Sequence, residues 1–150
     1  MHQYKSLILF LVLTSAVALV GSQFLPGAWY AALHKPLFNP PNWIFAPVWS
    51  ALYVMMAVAA WRVWRRVGGI DSAIVLWVVQ LVLNGLWSWI FFGLHRTGLA
   101  LIDIGVMLVL IAIVTVAFMR RDRLAGYLMW PYLAWVAFAS VLNLSLWWLN

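Results

Sequence analysis

The chain has 150 residues, 67% of them hydrophobic and 8% charged, with no Cys, no Glu and three Asp. A soluble domain carries about 25% charged residues, so a soluble fold is excluded, and disulfide and thiolate chemistry with it. The net charge of +6 does not point to nucleic acid. The basic residues stand at the ends of apolar runs, as membrane orientation requires, and form no groove-binding patch.

Five apolar runs predict five membrane-spanning helices, at about residues 5–25, 43–64, 72–94, 98–119 and 124–149. Each is close to the roughly 20 residues that cross a bilayer, and none shows the stripe of a surface helix. The first, Lys5–Leu25, resembles a signal peptide, but the segments after it are equally apolar and make the chain polytopic. The second ends in WRVWRRVGG, the third starts at Asp71 or Ser72 as N-cap, and the fifth contains Pro131. The connections RRVGGID, HRTG and RRDR are short, so sequential helices pack antiparallel in a single all-α membrane domain. Only the connection at 26–42 is long.

Lys and Arg divide unevenly between the two sides. Lys5, Arg62, Arg65, Arg66, Arg120, Arg121 and Arg123 share one side, with Lys35 and Arg96 on the other. In a bacterial inner membrane this places the N-terminus in the cytoplasm. In an outer membrane the rule carries no force and the orientation stays open. Small residues recur at Ser15, Ala18 and Ser22, and at Gly98, Gly105 and Ala112. They allow close helix approach, within the bundle or along a dimer seam.

Several chemistries lack their residues. His2, His34 and His95 fall in the N-terminus or in connections, so no spanning helix offers a haem ligand. Asp103 is the one carboxylate within a span. It lies near a helix start, where the helix dipole and Arg96 or Lys35 would hold it. No catalytic triad, carboxylate dyad or metal cluster can be assembled, and no cofactor is required.

Aromatics and amides are what the spans do carry, including twelve Trp. Trp61, Trp64, Trp147 and Trp148 fall at span ends, as interfacial belts do. Gln80, Asn84, Trp87 and Ser88 share one face of the third helix. Tyr132, Trp135, Ala139 and Asn143 share one of the fifth, and Trp49 and Tyr53 one of the second. Polar groups in a span point inward. Two readings follow: the amides bond neighbouring helices, or they line an apolar cavity for a planar hydrophobe with a polar edge. The long connection fits the second as a lid. Pro36, Pro40, Pro41 and Pro47 stiffen it, while Trp29, Tyr30, Leu33, Phe38 and Trp43 plug the open end. His34 and Lys35 would meet an acidic group, such as a propionate, at the mouth. The competing reading is a rigid spacer at the headgroups.

The pattern WYxxLxKPxxxPPxWxFxPVWxxLYxxM, from Trp29 to Met56, resembles the translocator protein family, whose bacterial members are the tryptophan-rich sensory proteins. QLVLNGLWSWIFFG at 80–93 and PYLAWVAFASVLNLSLWWLN at 131–150 continue it over essentially the whole chain. The resemblance implies a five-helix homodimeric membrane bundle that binds protoporphyrin IX or a related tetrapyrrole, as well as isoquinoline carboxamide and benzodiazepine drugs. It implies that Trp49 and Trp135 line the pocket and that Tyr30, Asn84, Ser88 and Ala139 occupy further pocket positions. It also implies three roles: receptor or sensor, porphyrin transporter, or an enzyme of light- and oxygen-dependent porphyrin breakdown, with Trp49 and Trp135 as the catalytic candidates. Apart from the tetrapyrrole, the implied partners are membrane lipid and a second copy of the chain. The sterol motif of mammalian members needs a basic residue after Tyr in the last helix. None follows Met129, which argues against sterol binding through it.

Overall fold

The computed structural model describes residues 2–24 and 26–150, apart from the side chains of His2 and Gln3. Leu25, the expected end of the first helix, lies outside the described residues. The chain forms α1 (His2–Ser22), α2 (Gly27–Ala32), α3 (Asn42–Val67), α4 (Ser72–Ser88), α5 (Thr97–Arg121) and α6 (Arg123–Leu149). A π-helical turn, Trp89–Gly93, continues α4. There is no strand among the described residues. Five of the helices are long and apolar enough to cross a membrane, so the fold is an all-α bundle of five transmembrane helices. His2 is the first residue of α1 and does not lie in an extended terminus.

Local chemistry sets the helix ends. Helix α3 runs to Val67, past the expected Trp64, because Gly68 supplies the left-handed residue that closes it. Gly68 has φ 79°, and its N–H donates to the Trp64 carbonyl at 2.9 Å. Asp71 caps α4 by accepting from the Ile74 N–H at 3.2 Å. Helices α5 and α6 are separated by Asp122 alone.

The spanning helices form a closed ring in the order α1, α3, α6, α5, α4 and back to α1. Glycines allow the close approaches. A Cβ on Gly98 would stand 3.1 Å from Trp147 Nε1, bringing the start of α5 against the end of α6. One on Gly21 would stand 3.3 Å from Ser88 Oγ, across the contact of α1 with α4. Gly105 differs: nothing lies within 4 Å of its would-be Cβ, so that part of the small-residue stripe is not used within the chain. Inside the ring Met56, Trp77, Phe91, Met107, Phe118 and Tyr132 are fully buried. Trp64, expected in an interfacial belt, packs edge-to-face on the buried Phe10 at 5.8 Å.

Two ion pairs tie one end of the ring. Arg62 Nε donates to Asp122 Oδ2 at 2.6 Å, joining α3 to the α5–α6 connection. Arg121 Nε donates to Asp71 Oδ2 at 2.5 Å, joining the end of α5 to the cap of α4. The Arg62 hydrogen bond holds the Asp122 carboxyl below its usual range. Partial burial pushes Asp71 up, but hydrogen bonds from Arg121 and the Ile74 N–H outweigh it and leave this carboxyl lowered too. A carboxylate whose pKa is lowered by folding stabilises the fold above its unfolded value of about 3.9. That contribution is lost as pH falls through the lowered folded value. The melting temperature in detergent is therefore expected to drop from about pH 5 to about pH 2, and Asp122→Asn should flatten part of the drop.

Candidate functional site

The inward amides meet across the ring and satisfy one another. The Tyr53 hydroxyl donates to Asn84 Oδ1 at 2.7 Å, and Asn84 Nδ2 donates to the Tyr132 hydroxyl at 3.0 Å. Tyr132 in turn donates to Gln80 Oε1 at 2.7 Å. Gln80 Nε2 rests 3.9 Å from Met56 Sδ. A second bridge runs from Trp87 Nε1 to Asn143 Oδ1 and from Asn143 Nδ2 to the Thr97 carbonyl, both at 2.9 Å. The sequence placed Gln80, Asn84, Tyr132 and Asn143 on inner faces, and the fold brings them together. Their polar atoms are engaged as interhelical hydrogen bonds.

The aromatics fall into two groups. In the first, Trp49 of α3 lies 6.5 Å from Trp135 of α6, ring planes at 87°. It also lies 5.7 Å from Tyr53 and 6.3 Å from Tyr132. Phe45 and Phe138 flank Trp135 at 6.0 and 5.6 Å. Trp49, Trp135 and Ala139 are half-buried, so this aromatic cluster between α3 and α6 is not sealed. In the second group, Trp87 stacks on Phe91 at 5.0 Å, and the π-helical turn presents Phe91 and Phe92 together. Tyr30 belongs here, 6.4 Å from Phe91 and 5.7 Å from Phe92, and not beside Trp49. Ser88 faces Gly21 of α1.

The connection expected to be extended contains α2 and is fastened at several points. Trp29 stacks flat on His95 at 4.2 Å, and His95 has a left-handed backbone, φ 59°. The His34 N–H donates to Asn150 Oδ1 at 3.0 Å, and Asn150 Nδ2 donates back to the His34 carbonyl at 2.9 Å. Lys35 Nζ donates to the Ala31 and Leu33 carbonyls, both at 3.2 Å, and lies 4.8 Å over the Tyr30 ring. It caps the end of α2. The Tyr30 hydroxyl pairs with the Asn39 amide. Leu33 packs on the second aromatic group, and Pro36 and Pro40 are half-buried while Pro41 is exposed. Two expected plugs do not plug. Trp43 is 74% exposed in the first turn of α3. Phe38 is half-exposed, and its ring lies 6.3 Å from that of Phe138.

Asp103 forms no ion pair with Arg96 or Lys35. Lys35 is spent on α2, and Asp103 stands in the second turn of α5, beyond the reach of the helix dipole. Its Oδ2 is buried without a hydrogen-bond partner, as is Trp135 Nε1. No group of three potential metal-ligating side chains occurs among the described residues.

The TspO/MBR family model matches residues 7–149. The chain belongs to the TspO/MBR family. It is 42% identical to the translocator protein of Homo sapiens over 135 residues, covering 85% of this chain and 80% of that one. It is 40% identical to protein CrtK of Rhodobacter capsulatus over 151 residues, covering 97% and 94%. The tryptophan-rich sensory protein of Cereibacter sphaeroides is 40% identical over 134 residues, covering 89% and 84%. With five apolar helices, this TspO/MBR chain is an integral, multi-pass membrane protein.

The sequence missed Phe45, Phe138, Phe91, Phe92, His95 and Asn150 as parts of the site. Phe45 stands four residues before Trp49, and Phe138 three after Trp135, so helical spacing carried a signal for both. Nothing local announces the π-helical turn or the reach of Asn150 to His34.

Proposed function

We propose that the protein is a membrane receptor or sensor that takes a flat hydrophobic ligand, protoporphyrin IX or a related tetrapyrrole, between α3 and α6. Drug-like aromatic hydrophobes would enter the same cleft. The observation that carries this reading is the convergence of Trp49 and Trp135. They come from different helices, stand half-buried 6.5 Å apart and are surrounded by further rings. Indoles offer broad π faces, and apolar clefts with few unengaged polar atoms suit such ligands. The segment carrying α2 acts as the lid, held by Trp29 on His95 and by the Asn150 amide. The names of the relatives, a translocator and a sensory protein, agree with a membrane receptor. The seven-to-two division of Lys and Arg supports an inner-membrane site with a cytoplasmic N-terminus. A second copy of the chain is the proposed partner, and Gly105 lies open for its approach.

A titration of the purified protein with protoporphyrin IX in the dark tests this. Saturable quenching of tryptophan fluorescence is expected, with no spectral change on later illumination. Quenching that never saturates would overturn the site. A protein-dependent product under light would reassign the protein to porphyrin breakdown, and porphyrin uptake into sealed proteoliposomes would reassign it to transport.

A further inference from the structure

Three buried polar atoms have no hydrogen-bond partner among the described residues, and two of them, of opposite sense, stand on the adjacent helices α5 and α6: Asp103 Oδ2 and the Trp135 indole N–H; the third, Trp77 Nε1, is on α4. The amides and hydroxyls around Tyr132 are spent. Tyr53, Asn84, Tyr132 and Gln80 bond one another, and Asn143 is held by Trp87 and Thr97. Helix register brings the two unused groups to one level. Met107 Sδ of α5 lies 4.0 Å from the Tyr132 hydroxyl of α6, and Thr97 pairs with Asn143. The helices are antiparallel, so Asp103, one turn before Met107, stands opposite the turn of α6 that carries Trp135 and Val136. Asp103 also lies within Coulombic reach of the Tyr132 hydroxyl. A carboxylate in a span is costly and characteristically pairs with something. Asp103 is the only Asp or Glu inside the five spans, and its Oδ2 finds no partner among the described residues.

We propose that Asp103 is a specificity-determining residue of the cleft, its carboxylate accepting a hydrogen bond from an N–H of the bound heteroaromatic while the Trp135 N–H donates to an acceptor on the same ligand. This rests on reading the cleft as the ligand site. It narrows the ligand class from flat hydrophobes in general to planar heteroaromatics that carry an N–H. Carbazole, whose N–H lies on the ring edge, is a minimal probe.

The test is a comparison of carbazole with N-methylcarbazole, which keeps the shape and removes the donor. Each is titrated into the detergent-solubilised protein and into the Asp103→Ala and Asp103→Asn variants. The unmodified protein is expected to prefer carbazole by about tenfold, the usual reach of a hydrogen bond to a charged group. In Asp103→Ala the preference should shrink to within about twofold, and Asp103→Asn, which keeps an acceptor, should fall between. The melting temperature of Asp103→Ala should hold or rise, because an unpartnered carboxylate leaves the span. Equal affinity of the two probes for the unmodified protein, with binding still dependent on Trp49 and Trp135, overturns the role of Asp103 and leaves the cleft standing. Absence of saturable binding by either probe overturns both. A lowered melting temperature in Asp103→Ala, with equal loss for both probes, assigns Asp103 a structural role and overturns the proposal.

Discussion

Replacing Trp49 and Trp135 together by Leu is expected to lower the affinity for protoporphyrin IX by about tenfold. Aromatic pairing adds about 0.5–1.5 kcal/mol per ring beyond area burial, and each 1.4 kcal/mol is about a factor of ten. Leu keeps the cleft apolar and roughly filled, so the loss reports the π faces and not a collapsed wall. Each single variant should lose part of the affinity, because the rings stand 6.5 Å apart at 87° and belong to different helices. Trp148→Leu is the control. Trp148 is 78% exposed, and its removal should leave binding unchanged. Equilibrium titration in the dark, with the melting temperature of each variant measured alongside, checks the expectation.

Gly126→Ala is expected to destabilise the bundle by about 2–3 kcal/mol. Its Cβ would stand 1.8 Å from Met119 Cγ and 2.8 Å from Met119 Cα. The Met side chain can swing away, but the backbone of α5 cannot, so the seam between α5 and α6 must open. That seam sets the register that brings Thr97 to Asn143 and Met107 to Tyr132. Gly105→Ala on the same helix pair separates this cause from helix propensity. Nothing lies within 4 Å of that Cβ, and Ala should be neutral or gain up to about 1 kcal/mol. Unfolding of both variants in detergent, followed by circular dichroism, decides the matter. Equal melting of the two would show that α5 and α6 do not pack this closely.

The five spans were legible because each is an apolar run of membrane length, and their ends moved by only a few residues. Gly68, with its left-handed φ, carried α3 three residues further than the apolar pattern alone suggested. Helix α2 was hidden by the prolines around it, which read as extended chain, yet Lys35 reaches back to cap it. Spacing placed Gln80, Asn84, Trp87 and Ser88 on one face. It did not show which partner each would meet, because that depends on the register of other helices. Ser88 met Gly21, and Asn143 met a backbone carbonyl. The same limit separated Tyr30 from Trp49. Charge arithmetic suggested a partner for Asp103, but Lys35 was already committed to its own turn, and Asp103 Oδ2 is left, like Trp135 Nε1, without a hydrogen bond.

A ligand seated between α3 and α6 would be located by reading the dark titration at each indole separately. Labelling with 5-fluorotryptophan and recording 19F NMR during addition of protoporphyrin IX gives one signal for each of the twelve Trp. The resonances of Trp49 and Trp135 should shift along one saturable curve, while buried Trp77 and exposed Trp148 stay in place. Shifts centred on Trp89, which lines an apolar groove between α1 and α4 on the outside of the bundle, with Trp49 and Trp135 unmoved, would place the ligand on that groove and not between α3 and α6.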